Sequence, residues 1–310
     1  MQSKISLSKR YIASPLNYTG GKHKLLPQIL PLFPEKIETF VDLFCGGCNV
    51  GVNVNAGKVI CNDNNEKLIG FFNYLKNTDY KIFLSQISKV IEEFHLSNTA
   101  ENGYSFYGCN SSDGLASYNR EHFLALRENF NSLRAEDSYY FAKLYILIVY
   151  AFNNQIRFNS KGFYNLPVGK RDFNKRMSKK LETFMRSIAN IEFTSEDFKE
   201  FKIENLTQND FVYADPPYLI TCASYNELDG WNENNEIELL KMLDKLNEQK
   251  VRFALSNVLS SKGNTNSILT DWLNKNPEYK CHHLNFDYKN SNYHKADKTD
   301  KADEVLIMNY

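Results

Sequence analysis

The chain has 310 residues, 42% of them hydrophobic and 24% charged, with 37 basic groups balanced by 37 acidic ones. That length buries one large core, or one core with a smaller satellite, and the charge balance excludes a globally basic polyanion binder, so any nucleic-acid contact needs a local basic patch. Six cysteines, at 45, 48, 61, 109, 222 and 281, are too sparse for a disulfide scaffold. The longest apolar run, LYILIVYAF at 144–152, falls short of the roughly 20 residues of a membrane span. No signal peptide is visible in the polar stretch 1–10, so a cytoplasmic, reducing setting is expected. The abundance of Phe, Tyr and Asn suits base stacking and edge recognition, and equally matches the bias of an AT-rich genome.

In chain order, the first stretch with chemical character is PLNYTGGKHKLLPQIL (15–30). A Gly-Gly-Lys turn opening a helix either directs N–H groups and an ammonium toward an anion, or is a loop with a solvated lysine. IETFVDLFCGGCNVGVNVNAG (37–57) runs from an apolar strand through a glycine turn toward a helix, and KVICND (58–63) is a second strand ending in an acid. Together they predict the β-turn-α-β start of a doubly wound sheet. Gly46 and Gly47 let a cofactor lie across the end of the first strand, or else form an ordinary turn, since the run is neither GxGxxG nor a phosphate loop. Asp63 favours the cofactor, because a carboxylate at that position commonly accepts ribose hydroxyls. Cys45 and Cys48 have C-x-x-C spacing, but no second pair completes a tetrahedral metal site.

Residues 66–96 are helical in their i, i+3, i+4 spacing of apolar side chains, and 119–133 and 135–152 continue helically after a Gly/Ser/Asn-rich loop at 102–117. NNQIRFNSKGFYNLPVG (153–169) places Arg157, Asn159, Lys161, Tyr164 and Asn165 around Gly162, as in a turn-rich hairpin, and 170–186 then holds seven Lys/Arg against two acids. That stretch is either a surface for phosphates and base edges or a solvated helix face. Strand patterns return at 190–195, 211–214 and 251–257, with an amphipathic crossover helix at 232–249. Runs at 280–289 and 303–310, around the Lys-rich segment 289–303, predict an antiparallel hairpin closing an otherwise parallel sheet. The simplest partition is an α/β unit of residues 1–70 and 186–310, interrupted by a mostly helical insertion at 71–185.

FVYADPPYL (211–219) is a buried strand that stops abruptly, since Pro216 and Pro217 have no N–H to continue a ladder. It is either a strand ending in a tight turn or a ligand site, because open α/β sheets bind ligands beyond the carboxyl ends of their strands.

The blocks PLNYTGGK, VDLFCGGCNVG, ICNDNN, LRENFN, IRFNSKGFYNLPVG, EFTSEDF, VYADPPY, FALSN and EVLIMNY, in this order and across nearly the whole chain, resemble those of the Dam-like DNA adenine-N6 methyltransferase family (D12 class, DPPY motif). The resemblance implies an α/β, Rossmann-like S-adenosylmethionine-dependent methyltransferase fold with an antiparallel C-terminal edge and an inserted, mostly helical DNA-recognition domain. It implies S-adenosyl-L-methionine as cofactor, S-adenosyl-L-homocysteine as product and no metal. Tyr18, Lys22, Asp42, Phe44, Gly46 and Gly47 would line the cofactor, with Asp63 at its ribose and Asp197 near its adenine amino group. Asp215, Pro216 and Tyr218 would hold a flipped adenine for methyl transfer. Arg157, Asn159, Asn165, Lys170 and Arg171 would contact double-stranded DNA. A site containing GATC, a prokaryotic or phage setting, no membrane association and a cognate restriction endonuclease are further implications, with oligomeric state open. Cys48 departs from the family's second loop glycine, and its side chain fits if the backbone there has negative φ. Methylation of RNA or a protein glutamine, and a noncatalytic DNA-binding role, are the alternatives.

Overall fold

The computed structural model describes residues 11–133, 137–221, 230–285 and 302–310. Its organising element is an eight-stranded sheet formed by β1 (Thr39–Asp42), β2 (Lys58–Asn62), β3 (Ile191–Thr194), β4 (Phe211–Ala214), β5 (Arg252–Ser261), β6 (Asn264–Thr265), β7 (Lys280–His283) and β8 (Asp303–Met308). The order is β3-β2-β1-β4-β5-β8-β7, with β6 folded back on the end of β5. β3, β2, β1, β4 and β5 are parallel neighbours, whereas β8 runs antiparallel to both β5 and β7. The expected C-terminal antiparallel pair is therefore present. Its reversed strand is internal, and β7 forms the edge.

Alternation along the strands sends side chains to opposite faces. Phe40, Phe211, Tyr213, Leu306 and Met308 pack with Leu25, Leu26 and Ile29 on one side. Val41, Val212, Phe253, Leu255, Val305 and Ile307 pack with Leu239, Leu243, Leu246 and Trp272 on the other. Chain direction across the sheet switches between β1 and β4, because β1 continues outward to β2 whereas β4 lies on its other flank. A crevice at such a switch point is where ligands bind in open α/β sheets.

The helices are α1 (Leu26–Ile29), α2 (Glu66–Asn77), α3 (Tyr80–Glu93), α4 (Thr99–Asn102), α5 (Ala116–Ser132), α6 (Tyr140–Tyr150), α7 (Lys175–Ser187), α8 (Glu233–Glu248) and α9 (Ser267–Lys275). Asparagines do much of the N-capping: the side chains of Asn65, Asn174, Asn232 and Asn266 accept hydrogen bonds from backbone N–H groups in the first turns of α2, α7, α8 and α9. α6 is buried almost all round, which explains why LYILIVYAF is apolar without amphipathic contrast. One continuous apolar core joins Cys45, Cys61 and Phe193 beside the sheet to Phe71, Phe72, Tyr145, Tyr164 and Phe184 in the helical segment.

Local expectations change in three places. The single helix expected over 66–96 is two, because Thr78 is extended and Asp79 caps α3 through the N–H groups of Lys81 and Ile82. The helix expected after the glycine turn is one 3-10 turn, Gly51–Asn53. The hairpin at 153–169 is held by two isolated bridges, Phe158 with Tyr164 and Ala151 with Val168, rather than by regular strands. Residues 1–10, Cys222 and the Lys-rich stretch up to 301 lie outside the described residues. Among the described residues no helix is long and apolar enough to cross a membrane.

Candidate active site

Three acids collect at the carboxyl edge of the sheet. β1 ends at Asp42, β2 is followed by Asp63, and β4 is followed by Asp215. The buried Asp42 accepts a hydrogen bond from the Gly51 N–H through Oδ2 (3.1 Å), while its buried Oδ1 has no partner among the described residues. Burial, reinforced by the neighbouring Asp215, pushes the Asp42 carboxyl up to about 8. Asp63 closes the glycine loop, accepting from the Gly46 N–H (2.9 Å) through Oδ2 and from the Asn65 N–H (3.0 Å) through Oδ1. Burial raises its pKa as well.

The loop has the shape of its neighbours. Gly46 has φ +46°, and a Cβ there would stand 2.9 Å from ring carbons of Tyr18, so the tyrosine packs where a side chain would have been. Cys48, by contrast, has φ 57°, which corrects the expectation of negative φ: a cysteine occupies the left-handed conformation that glycine would adopt without strain. Its Sγ lies 3.6 Å from Cys61 Sγ in the core, so the thiol fills space beneath the loop. Burial raises the pKa of Cys45 and Cys61, which keeps both thiols protonated. Among the described residues no group of three His, Cys, Asp or Glu side chains is placed to hold a metal.

Lys22 reaches the end of β4 from a 3-10 turn, Lys22–Lys24, although it is distant in sequence. The buried ammonium lies 2.8 Å from Asp215 Oδ1 and 3.5 Å from Glu304 Oε1, donates to the Gly20 carbonyl (3.0 Å) and stands 4.9 Å from the centre of the Tyr218 ring. The Tyr218 hydroxyl is within donating distance of Glu304 Oε1 (2.9 Å) and Asp215 Oδ1 (3.1 Å). Burial raises the Asp215 pKa, the Lys22 charge opposes that rise, and the Glu304 charge adds to it. Pro216 is buried and Tyr218 half-buried. Glu304 is a site residue that sequence reasoning missed, although an acid beside an apolar run is the same signal that singles out Asp215.

Phe44 beyond β1 meets Phe198 (5.4 Å between ring centres) and Trp231 (5.7 Å), and Phe198 meets Trp231 (5.5 Å). Trp231, which sequence reasoning passed over, donates its indole N–H to the buried Glu236 (2.6 Å). Asp197 is exposed next to this cluster in sequence, and its Oδ1 accepts from the Lys199 N–H (2.9 Å).

Several residues of the basic segment first build its shape. Asn159 Oδ1 accepts from the N–H groups of Lys161 and Phe163, and Arg157 donates to Asn165 (2.9 Å). Lys67 of α2 holds the tip, donating to the Gly162 carbonyl (2.6 Å) with its ammonium 4.0 Å from the centre of the Phe158 ring. Arg157, Asn165, Lys170 and Arg171 are exposed. So is Phe152 (55%), another residue not foreseen, next to Asn153 and Asn154, which both have positive φ. Asn17 donates to the Asn153 carbonyl (2.8 Å) and Gln155 to the Thr19 hydroxyl (3.4 Å), so the loop bearing Tyr18 and Lys22 is tied to the start of the basic segment.

Type II methyltransferase M.FokI of Planomicrobium okeanokoites is 43% identical over 97% of this chain and 43% of its own length. Modification methylase StsI of Streptococcus sanguinis is 41% identical over 99% of this chain and 44% of its own length, and modification methylase LlaI of Lactococcus lactis subsp. lactis 31% over 84% and 39%. The chain thus spans less than half the length of these relatives. Residues 18–291 match the model of the D12 class N6 adenine-specific DNA methyltransferases. They include the glycine loop, the acids at the strand ends, the basic segment and Asp215 to Tyr218, and the chain belongs to that family.

Proposed function

We propose that this chain transfers a methyl group from S-adenosyl-L-methionine to N6 of a flipped adenine in double-stranded DNA. The observation that carries the proposal is the cluster of buried Lys22 and Glu304 with half-buried Asp215 and Tyr218, beside Asp42 at the switch point of the sheet. The sheet order, with one reversed strand between β5 and β7, supports a Rossmann-like methyltransferase fold. Residues 1–70 and 186–310 would form the catalytic unit and 71–185 the recognition unit.

The residues present fit the cofactor. Asp42 offers a buried, unpartnered carboxylate oxygen to an amino-acid ammonium, Asp63 keeps lone pairs beyond its two backbone donors, and Phe44 belongs to an aromatic cluster adjoining Asp197 in sequence. Tyr18 and Lys22 approach from the N-terminal loop, and Gly46 and Gly47, lacking a Cβ, let Tyr18 pack directly against the glycine loop. The cofactor, when bound, supplies an electrophilic methyl on a sulfonium and leaves as S-adenosyl-L-homocysteine.

Asp215 and the Pro216 carbonyl receive the adenine amino group. Its nitrogen is a poor nucleophile because its lone pair is conjugated into the ring. Hydrogen bonds from both N–H groups favour a more tetrahedral nitrogen and stabilise the positive charge that develops during attack. Lys22 and Tyr218 both address Asp215 Oδ1, so Oδ2 is the oxygen we assign to N6. The methylated nitrogen is acidic enough to lose its proton without a strong base. Tyr218, fixed by its hydroxyl, presents its ring to a base taken out of the duplex.

DNA is held by the basic segment through Arg157, Asn159, Asn165, Lys170 and Arg171, with Lys170 and Arg171 neutralising phosphates. A site containing GATC is the leading target. The relatives, a type II methyltransferase and modification methylases, support a role beside a restriction endonuclease on prokaryotic or phage DNA in the cytoplasm. The test is expression in a methylation-deficient host followed by single-molecule sequencing of modified adenines. N6-methyladenine at one short motif is expected, absent with Asp215→Ala. No modification above that control overturns the proposal.

A further inference from the structure

We propose that Glu304 is a positioning residue for methyl transfer, holding the Tyr218 hydroxyl and the Lys22 ammonium so that Asp215 and the Tyr218 ring present one fixed surface to the target base. The inference rests on the function proposed above and adds to it a residue on the last strand, remote in sequence from the Asp-Pro-Pro-Tyr segment.

Topology explains how Glu304 gets there. β1, β2, β4 and β5 deliver their carboxyl ends to the site edge, so a parallel strand would deliver its start to the opposite edge. β8 is reversed, and its second residue, Glu304, opposite Val258 of β5, therefore reaches the same edge as Asp215. The side chain is 2% exposed, with Oε1 2.9 Å from the Tyr218 hydroxyl and 3.5 Å from Lys22 Nζ.

Stability alone does not account for a carboxylate there. Burying a charge is costly, and exchanging buried ionic groups for well-packed apolar ones is often neutral or stabilising. The arrangement also has a chemical consequence. Tyr218 has one hydroxyl proton and two carboxylate oxygens within reach. Donation to Glu304 fixes the ring while leaving the lone pairs of Asp215 for the amino group. Lys22, shared between the carboxylates, sets the spacing of the pair.

The charged and titratable groups facing Asp215 are Lys22 from the N-terminal turn, Asp42 from β1, Tyr213 from β4, Tyr218 from the segment after it and Glu304 from β8. Lys22 makes Asp215 easier to ionise and Glu304 makes it harder. Removing the Glu304 charge while keeping its shape therefore moves the acid limb of kcat to lower pH.

The experiment measures kcat, KM for duplex DNA and cofactor Kd across pH for the wild-type chain, Glu304→Gln, Tyr218→Phe and the double variant. For Glu304→Gln we expect kcat down about tenfold, cofactor Kd within about twofold and the acid limb displaced downward. The double variant loses less than the two single losses combined, because Glu304 acts in part through that hydroxyl. Wild-type kcat and an unmoved acid limb in Glu304→Gln, or additive losses in the double variant, overturn the assignment, as does a cofactor-affinity loss as large as the loss in kcat. Should Glu304→Gln not fold, Glu304→Asp keeps the charge but withdraws the oxygen from Tyr218. It is then expected to lower kcat with the acid limb unmoved, and undiminished kcat overturns the assignment. Absence of transfer by the wild type would overturn the proposed function itself, whereas an active wild type matched by Glu304→Gln overturns only the role of Glu304.

Discussion

Lys22 Nζ lies 2.8 Å from Asp215 Oδ1, in a site where the lysine is 4% and the aspartate 17% exposed. Two carboxylates, Asp215 and Glu304, share this one ammonium. Replacing Lys22 with Met leaves them buried without it, and breaking a buried pair in this way costs about 3 kcal/mol. The Asp215 pKa, already raised by burial, rises further without the cation. A carboxyl raised above its unfolded value contributes stability that is present below the unfolded pKa and lost as pH rises through the folded one. Lys22→Met is therefore expected to lose more stability at pH 8 than at pH 5.5 in urea titrations, and to move the acid limb of kcat upward, opposite to Glu304→Gln.

Under the proposed function, Asp42 links cofactor binding to protons. Burial and Asp215 hold its carboxyl at about 8, so in the free protein at pH 7 it is mostly protonated. A cationic amino group at Oδ1 favours the ionised form, so cofactor binding at pH 7 releases up to one proton and affinity rises with pH toward about 8. Calorimetric titrations in two buffers of different ionisation heat measure the proton directly, and equal apparent enthalpies in both count against the assignment. The same shift makes Asp42 a liability in the free protein, since its favourable contribution is present below the ordinary Asp value and lost as pH rises through about 8. Asp42→Asn is expected to stabilise the free protein at pH 8 by several kcal/mol, with little effect near pH 4, while abolishing cofactor affinity.

Asp42, Asp63 and Asp215 are legible in the sequence because each follows an apolar run and precedes a glycine, an asparagine-rich turn or a proline. Glu304 carries the mirror image of that signal, an acid beginning an apolar run, and only the reversal of β8 turns the start of a strand into the edge of the site. Lys22 is legible as a lysine in a glycine turn, but its partner depends on a long-range approach that no local pattern encodes. The same holds for Cys61, whose contact with Cys48 depends on the β1–β2 register that sets Asp42 opposite Cys61. The break between α2 and α3 is visible in retrospect as Asn77-Thr78-Asp79, where the Asp79 cap overrides an apolar periodicity that continues through it. Phe152 and Trp231 have no motif at all, and exposure in one case and ring contacts in the other bring them forward.

Cys48 offers a test of the loop backbone. At φ 57° a non-glycine residue is strained by roughly 1–2 kcal/mol, so the usual penalty for replacing alanine by glycine should vanish or change sign here. Cys48→Ala and Cys48→Gly both delete the buried thiol and leave a similar void beside Cys61. Urea denaturation is expected to place Cys48→Gly at or above Cys48→Ala, despite the additional methyl lost. A deficit of more than about 1 kcal/mol for the glycine variant would contradict a left-handed residue 48.

Under the proposed function, Phe152 and the pair Lys170/Arg171 separate two ways of holding DNA. All three are exposed, so their replacement by alanine is expected to change folding stability by less than about 0.5 kcal/mol. Phe152 carries no charge. If its ring stacks on bases, Phe152→Ala weakens duplex binding by about tenfold at every salt concentration and leaves the slope of log K against log salt unchanged. The double substitution Lys170→Ala/Arg171→Ala instead removes two phosphate-neutralising charges and makes that slope shallower by about 2, since each released counterion contributes close to 0.9. Fluorescence anisotropy with a labelled duplex over a salt series measures both. An unchanged slope in the double variant removes Lys170 and Arg171 from the phosphate contacts. Undiminished affinity in Phe152→Ala shows that its exposure has another cause, and a slope change there would mean that the substitution disturbs the hairpin and with it the placement of Arg157.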